Sequence, residues 1–479
     1  MGKANKKIIS STIFYSIGEI VPRVLAFLLM PILTKYLSPA DYGITSYTTT
    51  IMTFVFVIAS LSLNTFLLRN YYLEKTEESK KEIIGGIFVF ICLFNLALLV
   101  IQMVIFPFAI ASFKINIPFY PFFLLAIINN FFDVIAIIPL VLYRIKENPR
   151  AFIILSLSKV ILQFILTYFL VVHMREGLLG SYMARLYINV PFAFIYFFII
   201  YKNGIFVLSL EKIKAALIFS LPLLPASLSY LIVSVSDRII LERFISLRDL
   251  GIYSVAFTLS LALNIVIQSL YKTFEQIIFK RFNDVDFDVL NLKLFKLFSI
   301  FVICGGFTIS IFSREIFMMA ASKSFYEGYR LMPTMVIAVI ISGLNTYTGT
   351  LLIAANKRKL VAVLTTISAV VCIIFNFVFV PLLGYWGSLY ATIFAVSIIT
   401  IVSYIKLNPN MRVVSYQIVL LLMVFFVPLY MDKYIMANHF FVKILIKLLM
   451  SIVVFLVSFP LLGINAFNAI NLRKLKIIK

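Results

Sequence analysis

Eight ionisable side chains stand within or at the edge of long apolar stretches. They are Glu19 with Arg23, Asp133, Lys159, Arg185, Asp237 with Arg238, and Glu275. These types and spacings do not suggest the making of bonds. No nucleophile is set beside a base, no carboxylate pair is evident, and the two histidines, His173 and His439, are far apart. The pattern predicts no enzyme, no metal centre and no cofactor beyond a coupling ion, H⁺ or Na⁺. What such groups can do is hold charge. A guanidinium is a planar fork matched to phosphate oxygens and an ammonium is a point charge. Arg23, Lys159, Arg185 and Arg238 are therefore the candidate ligands for an anionic head group. Glu19, Asp133, Asp237 and Glu275 are the candidate carboxylates that pair with them or bind a coupling ion. Each ion at the centre of a membrane helix costs about 2.5–3.5 kcal/mol, so these residues must face a wet cavity or one another. Glu19 and Arg23, four apart, can neutralise each other along one helix. Asp237 and Arg238, near the end of their stretch, can form an interfacial pair. Asp133, Lys159 and Arg185 have no oppositely charged neighbour in sequence and either pair across helices or line a cavity.

The elements that must position these residues are membrane helices. Of 479 residues, 62% are hydrophobic and 13% charged. Apolar runs of about 20 residues, long enough to span a bilayer, follow almost back to back. The pattern predicts an all-α integral membrane protein with about 14 spans, at residues 8–36, 42–67, 83–107, 117–142, 151–173, 178–201, 215–241, 251–274, 294–313, 328–354, 360–381, 386–405, 413–431 and 441–463. The net charge of +22 is read as loop asymmetry, with no nucleic acid as partner. Connections on the side of the N-terminus carry 26 Lys and Arg, and those on the other side nine. The positive-inside rule then puts both termini in the cytoplasm. Lys272, Arg330 and Lys447 lie near span ends and are expected to snorkel to the interface. Cys92, Cys304 and Cys372 lie in apolar runs and read as small core residues. The lysine-led N-terminal run is too long for a signal peptide and reads as a retained first helix.

The chain repeats itself. Tyr36–Ile44 laid over Phe244–Ile252 matches Ser38 with Ser246, Asp41 with Asp249, Gly43 with Gly251 and Ile44 with Ile252, at an offset of 208. Gly180-Ser181 with Ala184 falls on Gly387-Ser388 with Ala391, at an offset of 207. These anchors predict two pseudo-symmetric six-helix lobes, residues 1–203 and 204–408, followed by two extra helices and a basic tail, 409–479. Ser-x-x-Asp predicts a capping box at a helix start, with Pro39 at the first helical position. The Gly-Ser-x-x-Ala pairs predict close helix packing. Parallel repeats of this kind suit alternating access. The charges are not duplicated, because Glu19 and Arg23 fall on Ser227 and Leu231.

Leu37-Ser38-Pro39-Ala40-Asp41-Tyr42-Gly43 after a long first helix, and Pro381–Ser388 following Asn376, resemble the polysaccharide (Wzx-like, O-antigen) flippases of the multidrug/oligosaccharidyl-lipid/polysaccharide exporter superfamily. The resemblance implies transport of an undecaprenyl-diphosphate-linked sugar unit, a lipopolysaccharide or capsule precursor, across the bacterial inner membrane. Its implied partners are the lipid-linked oligosaccharide, membrane lipids and polysaccharide assembly proteins. Asn64, Asn129, Asn130, Gln163, Asn189, Asn264, Gln268 and Asn345, in or near the spans, are candidates for sugar contacts. Two alternatives stay open: a drug or cation antiporter of the same superfamily, and a flippase for a peptidoglycan lipid precursor. A membrane polymerase or ligase would want a large outer loop, and the connections are too short for one.

Overall fold

A computed structural model describes residues 21, 24–25, 27–407 and 440–462, the last segment without the side chain of residue 440. Among the described residues there is no strand, and twelve helices are long and apolar enough to cross a membrane. We label them α1 (Pro39–Asn70), α2 (Glu77–Phe113), α3 (Phe119–Ile145), α4 (Pro149–His173), α5 (Gly177–Asn203), α6 (Leu210–Val235), α7 (Leu247–Arg281), α8 (Phe287–Ile311), α9 (Met332–Ala354), α10 (Arg358–Leu383), α11 (Tyr385–Ile405) and α12 (Phe441–Leu461). Each answers to one expected span. Of the other two expected spans, 413–431 lies outside the described residues, and 8–36 is described only in part, where Phe27–Tyr36 is a short apolar helix. Large apolar side chains such as Phe108, Ile154, Phe194 and Leu382 are at least two-thirds exposed. That surface is what hydrocarbon, not water, would cover.

The chain forms two compact units. One runs to Leu231 and takes in Ser246–Gly251, and the other comprises Ile232–Ile245 and the chain from Ile252 onward. The core of the first joins one face each of α1, α2, α3 and α5, including Leu63, Leu67, Ile84, Ile91, Ile138, Leu142, Tyr196 and Ile200. Its helix α4 stands at the margin and buries little. Gly85 on α2 admits the backbone of the connection that follows α5, since a Cβ there would lie 2.1 Å from the Ile205 carbonyl oxygen. The core of the second unit gathers α7, α8 and α9 around Phe295, Phe298 and Tyr347, and closes against Phe459 and Leu462 at the end of α12.

Both capping motifs form. The Ser38 hydroxyl accepts from Asp41 N–H at 3.2 Å, and the Asp41 carboxylate accepts from Ser38 N–H at 2.8 Å, ahead of Pro39 in the first turn. Asp249 N–H likewise donates to Ser246 Oγ at 3.1 Å. The two caps then pack on each other. A Cβ at Gly43 would lie 2.0 Å from the Leu247 carbonyl oxygen, and one at Gly251 only 1.7 Å from that of Pro39. Glycine at 43 and 251 lets the two helix starts touch, backbone to backbone.

One expectation fails. Lys447 does not snorkel. It is 1% exposed, and its Nζ sits 2.7 and 2.9 Å from the two oxygens of Glu315, fixing α12 to the short helix Ser313–Ala320. Its partner is not legible from local sequence, because Glu315 is 132 residues away. Lys272 and Arg330 are exposed, as expected.

Gly251→Ala and Gly43→Ala should each lower the thermal unfolding midpoint of the detergent-solubilised protein, since a forced overlap costs about 1–3 kcal/mol. Gly349→Ala, with no atom within 4 Å of its new Cβ, should leave the midpoint level or raise it, because alanine is the better helix residue by roughly 0.5–1 kcal/mol.

Candidate functional site

Three helices of the first unit aim polar residues at one place. On α1 the face Thr49, Met52, Thr53 and Phe56, with Thr48 beside it, follows the i, i+3, i+4, i+7 rule for one side of a helix. On α3, Ala126, Asn129, Asn130 and Asp133 have the same spacing, and α5 adds Tyr182 and Arg185. Together they line a cavity of about 220 Å³. The threonines tolerate an apolar helix because their hydroxyls donate to their own backbone. Thr48 Oγ1 donates to the Ile44 carbonyl at 2.9 Å and Thr53 Oγ1 to that of Thr49 at 2.7 Å. Their lone pairs are left to accept. The Thr48 and Tyr182 hydroxyls meet at 2.5 Å, which ties α1 to α5. Asn129 Nδ2 donates to the Tyr182 carbonyl at 3.2 Å, and Asn189 Nδ2 donates to Asn129 Oδ1 at 3.0 Å, which ties α3 to α5.

The floor of the cavity is a charge cluster. Asp133 divides its carboxylate between two cations. Oδ1 accepts from Lys159 Nζ of α4 at 3.0 Å, and Oδ2 from Arg185 Nη2 of α5 at 2.5 Å. Lys159 approaches from behind, 14% exposed, with its ammonium 5.9 Å from the centre of the Tyr196 ring. Arg185 keeps 43% of its side chain exposed and lines the cavity. The three formal charges sum to one positive charge, and Arg185 presents it. Such an arrangement can bind an anion.

The other sequence candidates are elsewhere. Asp237 and Arg238, each 6% exposed, form a closed pair in the second unit. Arg238 Nη1 donates to Asp237 Oδ1 at 2.9 Å, the other Asp237 oxygen accepts from the Tyr253 hydroxyl, and the guanidinium lies 4.3 Å from the centre of the Phe257 ring. Glu275 accepts from Tyr271 at 3.0 Å, and Tyr271 also reaches Thr350 Oγ1 at 2.6 Å. Glu19 and Arg23 lie outside the described residues. Of the amides picked for sugar contact, Asn129 and Asn130 line the cavity and Asn189 stands behind it. Asn264 and Gln268 meet at 3.4 Å on α7. The α1 threonines and Tyr182 were missed. Their signal was present, because five of the nine residues from Thr45 to Thr53 are threonine, an unusual density of hydroxyls for a membrane span.

A family model described as polysaccharide biosynthesis protein matches residues 8–274. The Lsg locus putative protein 1 of Haemophilus influenzae is 20% identical over 312 residues, covering 62% of this chain and 72% of that one. Among solved structures, the lipid II flippase MurJ in an inward closed conformation is similar, with TM-score 0.75 and 17% identity over 97% of this chain and 100% of that one. An inward-facing multidrug resistance MATE family transporter of the MOP superfamily gives TM-score 0.67 and 14% identity over 86% of this chain and 98% of that one. At these identities the likeness is one of fold.

Asp133→Asn should be the most damaging single change in the cluster. It leaves Lys159 and Arg185 facing each other without an acid, at a cost of about 2–3 kcal/mol for a site still open to the cavity. Asp133→Asn combined with Lys159→Met removes one charge of each sign and should recover most of the loss. Thermal unfolding of the purified variants checks both.

Proposed function

The chain belongs to the polysaccharide biosynthesis protein family and has the fold of the multidrug/oligosaccharidyl-lipid/polysaccharide exporter superfamily; from that premise we propose that it flips a lipid-linked oligosaccharide across a membrane, with the diphosphate of the carrier lipid engaged by Arg185. One observation carries the reading. A guanidinium that still has one acid to hold it stands exposed in a cavity otherwise lined with hydroxyls, amides and three apolar side chains, Met52, Phe56 and Ala126. A unit negative charge 4 Å from a unit positive one gains about 4 kcal/mol at an effective dielectric of 20. That exceeds the roughly 2.5–3.5 kcal/mol a single charge costs inside a membrane helix bundle. Asp133 tempers this attraction, since a carrier must release what it binds. Threonine oxygens and the Asn130 amide then suit sugar hydroxyls.

The finer parts of the proposal follow from the chemistry of the family. The cargo is an undecaprenyl-diphosphate-linked repeat unit, an O-antigen or capsule precursor. The membrane is the bacterial inner membrane, with both termini cytoplasmic as the loop charges imply. The lipid tail stays in the bilayer while the head crosses, by alternating access. Asp133 is the carboxylate at the cavity to which an H⁺ or Na⁺ gradient would couple.

In a strain lacking the gene, wild-type protein should restore surface polysaccharide. Arg185→Gln should restore at most about a tenth as much at equal protein level, the equivalent of 1.4 kcal/mol or more, with the lipid-linked unit accumulating on the cytoplasmic side. Arg185→Lys should keep part of the output. Surface polysaccharide that is normal without the gene, together with altered drug susceptibility, would favour an antiporter. Accumulation of the peptidoglycan lipid precursor instead would reassign the cargo.

A further inference from the structure

A second cavity, of about 270 Å³, lies in the other unit and has no part in the site above. Arg314, Phe317, Met318, Tyr326 and Tyr329 line it. All five belong to the connection between α8 and α9, made of the helix Ser313–Ala320 and the 3₁₀ turns Lys323–Arg330. The connection is built to hold this shape. Phe325 is fully buried and pins the 3₁₀ turns. Gly328 lets them press on the floor of the pocket, since a Cβ there would meet Phe317 Cζ at 2.7 Å. Glu315 is engaged by Lys447 and does not neutralise its neighbour Arg314. Among the described residues Arg314 has no acid and no hydrogen-bond acceptor, and it is exposed. The Arg330 guanidinium lies 5.8 Å from the centre of the Tyr329 ring, and its Nε donates to the Tyr329 hydroxyl at 3.5 Å.

Tyrosines at the end of a membrane helix are ordinarily interfacial anchors. An anchor needs neither a concave wall nor an unpaired guanidinium. Pockets that bind small molecules combine apolar and aromatic walls with a few placed polar groups. Aromatic faces suit the C–H faces of a sugar ring, and a free arginine fork suits a carboxylate. This connection also falls on the side with few basic loop residues, where the proposed function delivers its cargo.

We infer that this pocket holds one carboxylate-bearing sugar ring, of the uronic-acid type, from the glycan as it emerges. The inference rests on the proposed function for its direction of travel. The ring lies against Tyr326 and Tyr329, and Arg314 takes the carboxylate.

Met318 lines the pocket and Met319 beside it is 82% exposed outside it, which gives a site and its own control. Met318→Cys and Met319→Cys variants in proteoliposomes are to be labelled with a membrane-impermeant maleimide, with millimolar D-glucuronate, D-glucose or inorganic phosphate present. Glucuronate at about twice its Kd should slow labelling of position 318 roughly threefold, glucose should do so less, and position 319 should not respond. Adding Arg314→Gln or Tyr329→Leu should remove the protection. No protection, equal slowing at both positions, protection that survives both added changes, or phosphate acting as well as glucuronate would each overturn the inference. Lost export in Arg185→Gln without protection here would overturn this inference alone. Protection here with export intact in the absence of the gene would overturn the proposed function alone.

Discussion

A charge inside a membrane protein must be answered by another charge or by water, and the sharing of Asp133 between Lys159 and Arg185 answers in both ways at once. Lys159 comes from the marginal helix α4, and the ion pair ties that helix to α3. Arg185 comes from α5, which is also held to α1 through Tyr182 and Thr48 and to α3 through Asn129 and Asn189. One carboxylate thus sets the positions of two helices and leaves part of one guanidinium open. Removing any of the three changes both the packing and the charge of the cavity.

The second unit handles the same problem differently. Asp237 and Arg238 are adjacent in sequence, and Tyr253 and Phe257 close over them. Burial is nearly complete, and no face of the pair is offered to a ligand of the size the first cavity admits. The contrast has a physical cause. Neighbouring residues in a chain can neutralise each other wherever they are put. Residues 26 and 52 apart in sequence, as Lys159 and Arg185 are from Asp133, must be brought together by helix packing, and the packing leaves room beside them.

That difference also decides what was legible beforehand. Helix spans depend on local composition, and each of the twelve long apolar helices answers to an expected apolar run. The caps depend on residues three apart, and both formed as Ser-x-x-Asp predicts. The matched glycines at 43 and 251 do not say that the two helix starts touch, because touching is a tertiary fact. Whether Asp133 would pair or face a cavity was left open, and it does both. The threonine face of α1 was overlooked because threonine carries no charge and its donor is already satisfied within the helix. Lys447 is the opposite case: its charge is plain in the sequence, but its partner lies on another helix far back in the chain.

Lys447 has one more bearing. A lysine in the first third of α12 would resist leaving water for a lipid environment by itself, by about 2.5–3.5 kcal/mol. Glu315 removes that resistance, but only once α8 and the helix after it are already in place. The tie spans 132 residues of chain, so the last described helix is held to the middle of its unit by charge as well as by the packing of Phe459 and Leu462.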